Sequence, residues 1–181
     1  MLGIPIGLAL ANAGEWAFHK YVLHGLGKKP KSFWAFHWHE HHRASRKNDH
    51  VDPHYHDPLW KSIRSWNGQG KEAVALSAGA VAMAPLFPVA PFMVGAFWYS
   101  MVNYYRKHKR AHLDPEWARE HLPWHYDDHM GPNQHANWCV TKPWWDDLVG
   151  TRKPYVGTDK EASDRARRAA RAARAAAASA A

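Results

Sequence analysis

Hydrophobic positions are gathered into two stretches of the chain, and the sequence between and after them is polar, basic and rich in histidine. The first stretch, "MLGIPIGLALANAGEWAF", leads straight into His19, and its helical pattern continues through "HKYVLH". It has no basic leader and no small-residue cleavage site, which argues against a signal peptide. A helix over about residues 2–24 would be roughly 35 Å long, against a bilayer hydrocarbon core of about 30 Å. The second stretch, residues 73–105, has no charged side chain before Arg106, and Pro85, Pro88 and Pro91 divide it into helices over about 73–85 and 91–105.

The flanks suggest a topology. Lys28, Lys29, Lys31, Arg43, Arg46, Lys47, Lys61, Arg64 and Lys71 precede the second stretch, and Arg106, Lys107, Lys109 and Arg110 follow it. By the positive-inside tendency both flanks belong on the cytoplasmic side, so the stretch reads as a hairpin. The expected fold is therefore all-α: integral membrane helices, in a bacterial inner membrane or its equivalent, under a cytoplasmic histidine-rich helical cap. Residues 1–157 form this domain. Residues 158–181, "DKEASDRARRAARAARAAAASAA" from position 159, read as an Ala/Arg-rich tail in solvent with no catalytic role.

Composition sharpens this reading. The chain is 46% hydrophobic yet has a mean hydropathy of −0.59, so its apolar residues must be concentrated. Cys139 is the only cysteine, which excludes an intrachain disulfide. The formal charge of +8 comes without a nucleic-acid-binding motif, and an anionic membrane face accounts for it better. Of 11 tryptophans, Trp34, Trp38, Trp60, Trp66, Trp124, Trp144 and Trp145 lie outside the apolar stretches, as expected of a membrane–water belt or of packing under loops.

The chemistry is carried by 15 histidines, all between positions 19 and 56 or between 108 and 135. His19 and His24 form H-x4-H, and His37, His41 and His42 form H-x3-HH with His39 interleaved. His108 and His112, and His125 and His129, form two H-x3-H pairs. Imidazole is a neutral ligand suited to iron, zinc and copper, and histidines four apart share one face of a helix. Each of the last two pairs can chelate one ion. Five-apart spacing turns the second ring away on a regular helix, so His19 and His24 call for two ions or a locally distorted turn. Adjacent His41 and His42 also diverge, and so many ligands exceed a single tetrahedral zinc; a dinuclear site fits. Glu15, one turn before His19, either orients that ring or marks a helix starting deeper in the headgroups. His121 can extend the His125 stripe, whereas His50, His54 and His56 in "NDHVDPHYHDP" read as loop or rim residues.

"HKYVLHG" and "HWHEHHR", with the closing "LPWHYDDHMGPNQHANWCVTKPWWDDLVGTR", resemble the fatty acid hydroxylase and sterol desaturase superfamily of histidine-box diiron oxygenases. The resemblance covers roughly residues 15–152 and implies metal ligands at His19, His24, His37, His41, His42, His108, His112, His125 and His129. Two positions depart from the pattern. Trp38 stands where the second box has its first histidine, so His37 or His39 must substitute. Asp128 stands where the closing box has the first of two histidines, and a carboxylate can still ligate iron. The resemblance implies two iron ions, with zinc as a possible substitute, an O2-dependent hydroxylation or desaturation of a membrane lipid, sterol or carotenoid, and an external electron-donor protein, since no flavin or nicotinamide fingerprint is present. The alternative is a non-catalytic metal-binding membrane protein or inactive homologue.

Overall fold

The computed structural model describes residues 2–180, in which every regular element is helical. Met1 and Ala181, the outer ends of the two expected regions, lie outside the described residues. The membrane part of the expectation is overturned: no helix among the described residues is long and apolar enough to cross a membrane. The regular part of the first helix, α1 (Gly3–Ala17), is about 22 Å long before the winding changes at Phe18. The hairpin arm α4 (Gly68–Met83) is about 24 Å long. Its partner α5 (Pro91–Leu113) is longer, but includes Arg106, Lys107, Lys109 and Arg110. The integral-membrane placement, the inner-membrane location and the cytoplasmic orientation all rested on a crossing, and they fall with it.

These three helices pack side by side. α1 runs parallel to α5, so closely that a Cβ on Gly7 would lie 2.3 Å from the Met93 carbonyl oxygen. Only glycine lets two backbones approach so nearly. α4 runs antiparallel to α5: Gln69 donates to the Tyr105 hydroxyl at 3.0 Å near one end, and Trp98 Nε1 to the Ala80 carbonyl at 2.9 Å near the other. The turn between them is a short 3-10 segment, Ala84–Leu86, and Pro91 occupies the first turn of α5, where its missing N–H costs no helical hydrogen bond.

The rest of the chain builds a cap at the far end of the bundle from short helices: α2 (Arg43–Lys47), α3 (Leu59–Ser65), α6 (Pro115–His121), α7 (Pro123–Met130) and α8 (Trp144–Val149). Proline again starts α6 and α7, and the Asp114 carboxylate caps α6 by accepting from Trp117 N–H. Ala111, Ala118, Leu122, Tyr126, Met130 and Tyr155 form the apolar core of this end.

The segment from Gly131 to Thr158 is mostly irregular and is held by buried carboxylates. Asp146 accepts from the N–H groups of Trp138 and Cys139 and from the Thr151 hydroxyl. Asp127 accepts from Arg152 and from Val156 N–H. Trp124 and Trp145 each donate Nε1–H to a backbone carbonyl, which is packing under loops, whereas Trp60 and Trp144 are exposed. The tail forms α9 (Asp159–Ala180), and its first turns dock: Glu161 is buried and accepts from Arg119 at 2.6 Å, and Arg165 pairs with Glu116 at 2.8 Å.

Candidate metal centre

The two five-apart histidine pairs lie on segments that are not regular α-helix. Phe18–Leu26 and Phe36–His42 are wound as π-helix, closed by i→i+5 bonds such as Gly27 N–H to the Val22 carbonyl at 2.9 Å. That winding brings residues i and i+5 onto one face. His19 and His24 therefore point the same way, and so do His37 and His42. The locally distorted turn is the one adopted, and His37 rather than His39 joins the cluster. His39 is exposed and bonds to the Lys28 carbonyl.

The four rings of these pairs meet. His19 Nε2 lies 3.0 Å from His37 Nε2, His24 Nε2 3.0 Å from His42 Nε2, and His42 Nε2 3.2 Å from His37 Nε2. A second group gathers His41, His108, His112 and His129, and a third overlaps it through His50, His112 and His125; within each group the ligand atoms lie within 4.8 Å of one another. Adjacent His41 and His42 do diverge, one into each of the first two groups. Asp128 stands with His42 and His129. Its carboxylate oxygens are 3.5–3.9 Å from Nε2 of His42, His19, His24 and His129. The chain thus brings together all ten expected ligands, His125 with His112 at 3.0 Å.

The outer nitrogens of five rings are tied down. A carbonyl can only accept, so His19 must carry its proton on Nδ1, bonded to the Trp138 carbonyl at 2.7 Å. His112 Nδ1 likewise donates to the His50 carbonyl at 2.9 Å, and His50 Nδ1 to the Ala111 carbonyl at 3.0 Å. His41 Nδ1 donates to Asp52 at 2.7 Å and His108 Nδ1 to Glu72 at 2.6 Å; Tyr55 donates to the other oxygen of Glu72. Each such bond fixes the ring and directs the Nε2 lone pair inward, the arrangement that outer partners impose on metal-binding histidines.

Several inward atoms have no hydrogen-bond partner. His41 Nε2, His108 Nε2, both nitrogens of His129 and both oxygens of Asp128 are buried without a hydrogen bond. Burying so many polar atoms unsatisfied is expensive unless a ligand completes them. Two imidazole nitrogens bound at a right angle about 2.1 Å from one ion would be about 3.0 Å apart, close to the spacings of the first group. Burial of most of these rings favours the neutral form that binds metal. Burial, reinforced by neighbouring histidines, pushes His37, His42, His108, His112, His125 and His129 well below the ordinary imidazole range. Burial pushes His19 down to about 4. It pushes the Asp128 carboxyl well above the ordinary carboxylate range.

No protein-family model, curated protein or solved structure matches this chain. The assignment therefore rests on geometry and donor chemistry: these buried His and Asp groups can hold metal.

Some site residues differ from the sequence reading. His50, expected at the rim, is fully buried and stacks on His112 with ring centroids 4.5 Å apart. Asp52, Tyr55 and Glu72 were not anticipated. The signals available were the density of acids and histidines in "NDHVDPHYHDP", and the one carboxylate at the threshold of an apolar stretch. Glu15 does not orient His19. It accepts from the N–H groups of Val140 and Thr141 and from the Thr141 hydroxyl, at 2.7 Å for each Thr141 contact, and burial raises it to about 7. His121 is exposed and stacks on Trp117, away from His125.

Beside the metal groups is a cavity of about 470 Å³. α1 contributes Ala11 and Glu15 to it, α4 contributes Ala75, Gly79 and Ala82, and α5 contributes Phe97, Met101 and Tyr104. The three- and four-residue spacings put each set on one helix face. His19, His37, His41 and His108 line the same cavity.

Proposed function

We propose that this chain is a dinuclear non-haem oxygenase, with two iron ions, that hydroxylates or desaturates an extended apolar substrate such as a fatty acyl chain, sterol or carotenoid. The observation that carries the reading is the mostly apolar cavity lined by histidines of both principal groups: His19 and His37 of the first, His41 and His108 of the second. A closed tetrahedral structural zinc site would have no reason to open onto such a cavity. The likeness of the motifs to histidine-box oxygenases supports the same reading.

His19, His24, His37 and His42 would hold one ion, and His41, His108, His112 and His129 the other, with Asp128 and His125 at their margins. Bound redox-active metal supplies O2 activation: in hydroxylation one oxygen atom enters a C–H bond and the other leaves as water, with two electrons and two protons from outside the chain. The protein's own contribution is positioning and exclusion. Ala75, Gly79 and Ala82 are small and leave room for a chain between the helices, while Phe97 and Met101 supply apolar contact. Asp52 and Glu72 hold His41 and His108 in one orientation. Burial keeps the Tyr104 phenol protonated beside His108, its pKa well above the usual value.

The test is iron(II) loading of anaerobically purified protein, followed by O2 uptake under a chemical reductant with a long-chain acyl substrate. About two irons per chain and an oxidised product are expected. Fewer than one iron per chain with no O2 uptake would overturn the reading. Tight metal binding with no O2 uptake would favour a non-catalytic metal protein, for which the replacement of a histidine by Asp128 is the specific argument.

A further inference from the structure

A second cavity, of about 380 Å³, opens between α9 and the end of α7 and is lined by Arg46, Lys160, Asp164, Arg167, Arg168 and Arg171 among others. Its volume falls in the range of small-molecule sites, roughly 300–1,000 Å³. On α9 the spacing from 160 to 164, 167, 168 and 171 is that of one helix face, and that face lines the cleft, with Lys160, Arg167 and Arg171 still open to solvent. The one carboxylate is already engaged. Asp164 accepts from Lys160 at 2.7 Å, from Tyr155 at 3.0 Å and from Arg167 in a closer contact.

Of the remaining guanidinium groups, Arg46 and Arg171 have no carboxylate partner among the described residues, and Arg168 pairs with Asp49 through Nε only. Arg46 donates to the carbonyls of His129 and Gly131, at 2.7 and 3.1 Å, which are uncharged acceptors. Arg171 makes no ion pair among the described residues. Arg168 Nε lies 2.8 Å from Asp49 Oδ1 without hydrogen-bond alignment, and its Nη2 is buried with no partner. A merely solvated stripe would turn its guanidinium groups to water; here one is withdrawn from water with donors free. Guanidinium forks match the paired oxygens of phosphate. We infer that this cleft is a binding site for a phosphate-class oxyanion, carried either as a free phosphate or phosphomonoester or on a lipid headgroup, with Arg46, Arg168 and Arg171 as its principal donors.

The experiment uses the full chain in two arms at fixed ionic strength: calorimetric titration with inorganic phosphate, and sedimentation with phosphatidylcholine vesicles with or without phosphatidic acid. Saturable binding in the first arm identifies a free phosphate ligand, and binding only to the phosphatidate vesicles identifies a headgroup; either supports the site. The double variant Arg168→Ala/Arg171→Ala should weaken that binding by about tenfold or more, since charge-assisted bonds are lost. Arg171→Ala alone, at an exposed position that leaves the fold intact, should weaken it in the same direction. Arg64→Ala/Arg106→Ala removes equal charge at exposed positions away from α9 and should change it less than about twofold. No binding in either arm, or equal weakening by the control pair, would overturn the proposal.

Discussion

At the scale of single residues, Asp128 is the position on which the metal reading turns. Its carboxyl is fully buried, faces four imidazole nitrogens and has no hydrogen-bond partner. A bound cation would hold it ionised; an amide in its place keeps the shape and loses the charge. Asp128→Asn is therefore expected to weaken metal retention by about tenfold or more in competition with a chelator, and Asp128→His to retain or tighten it. Unchanged retention in both variants would show that position 128 does not touch metal. The partners outside the ligand groups make a parallel prediction. Asp52→Asn and Glu72→Gln should each lower metal affinity by about 10–100-fold while leaving the helical signal intact, because they free the rings of His41 and His108 rather than remove them.

At the scale of elements, two features stand out. The close crossing of α1 and α5 at Gly7 leaves no room for a side chain, so Gly7→Ala should destabilise the fold by about 1–3 kcal/mol, read as a lowered denaturation midpoint. The apolar cavity predicts the opposite kind of behaviour at Gly79. A Cβ there meets nothing within 4 Å and Gly79 lines the cavity, so Gly79→Phe has open space at its root and would fill part of the cavity. Under the proposed activity, this variant should keep its metal and its stability and lose turnover of long-chain substrate. Loss of metal instead would mean that the cavity wall supports the histidine groups rather than a substrate.

At the scale of the whole molecule, the buried histidines make stability depend on pH. His19 and His50 are pushed down by burial to about 4 and about 3, from 6.5. The unfolded chain therefore takes up protons first, and stability is complete above about pH 6.5 and falls as the pH drops toward these values. Glu15 and Glu72, raised by burial to about 7 and about 8, and Asp128 act in the opposite sense, but the buried imidazoles outnumber them. Metal-free protein should accordingly show a urea midpoint that falls between pH 7.5 and pH 5, and bound metal should raise it at every pH, since it binds only the folded state. A midpoint independent of pH would mean that the clusters are already charged or open to water.

The sequence by itself determined the ligand types, their grouping into local pairs, and the helical character of the apolar stretches, because spacing and hydropathy are properties of neighbouring residues. Tertiary structure alone decided how the pairs combine. The π-winding that makes five-apart histidines converge is indistinguishable by spacing from an ordinary helix that would separate them. Asp52 and Glu72 reach His41 and His108 across 11 and 36 residues of chain, a proximity that no local pattern records. His50 sits in a mostly polar stretch, yet it is buried because α5 and α7 close over it. Runs of apolar residues suggested spans, but where each helix ends, and whether its charged turns belong to it, was settled only when the chain folded back on itself.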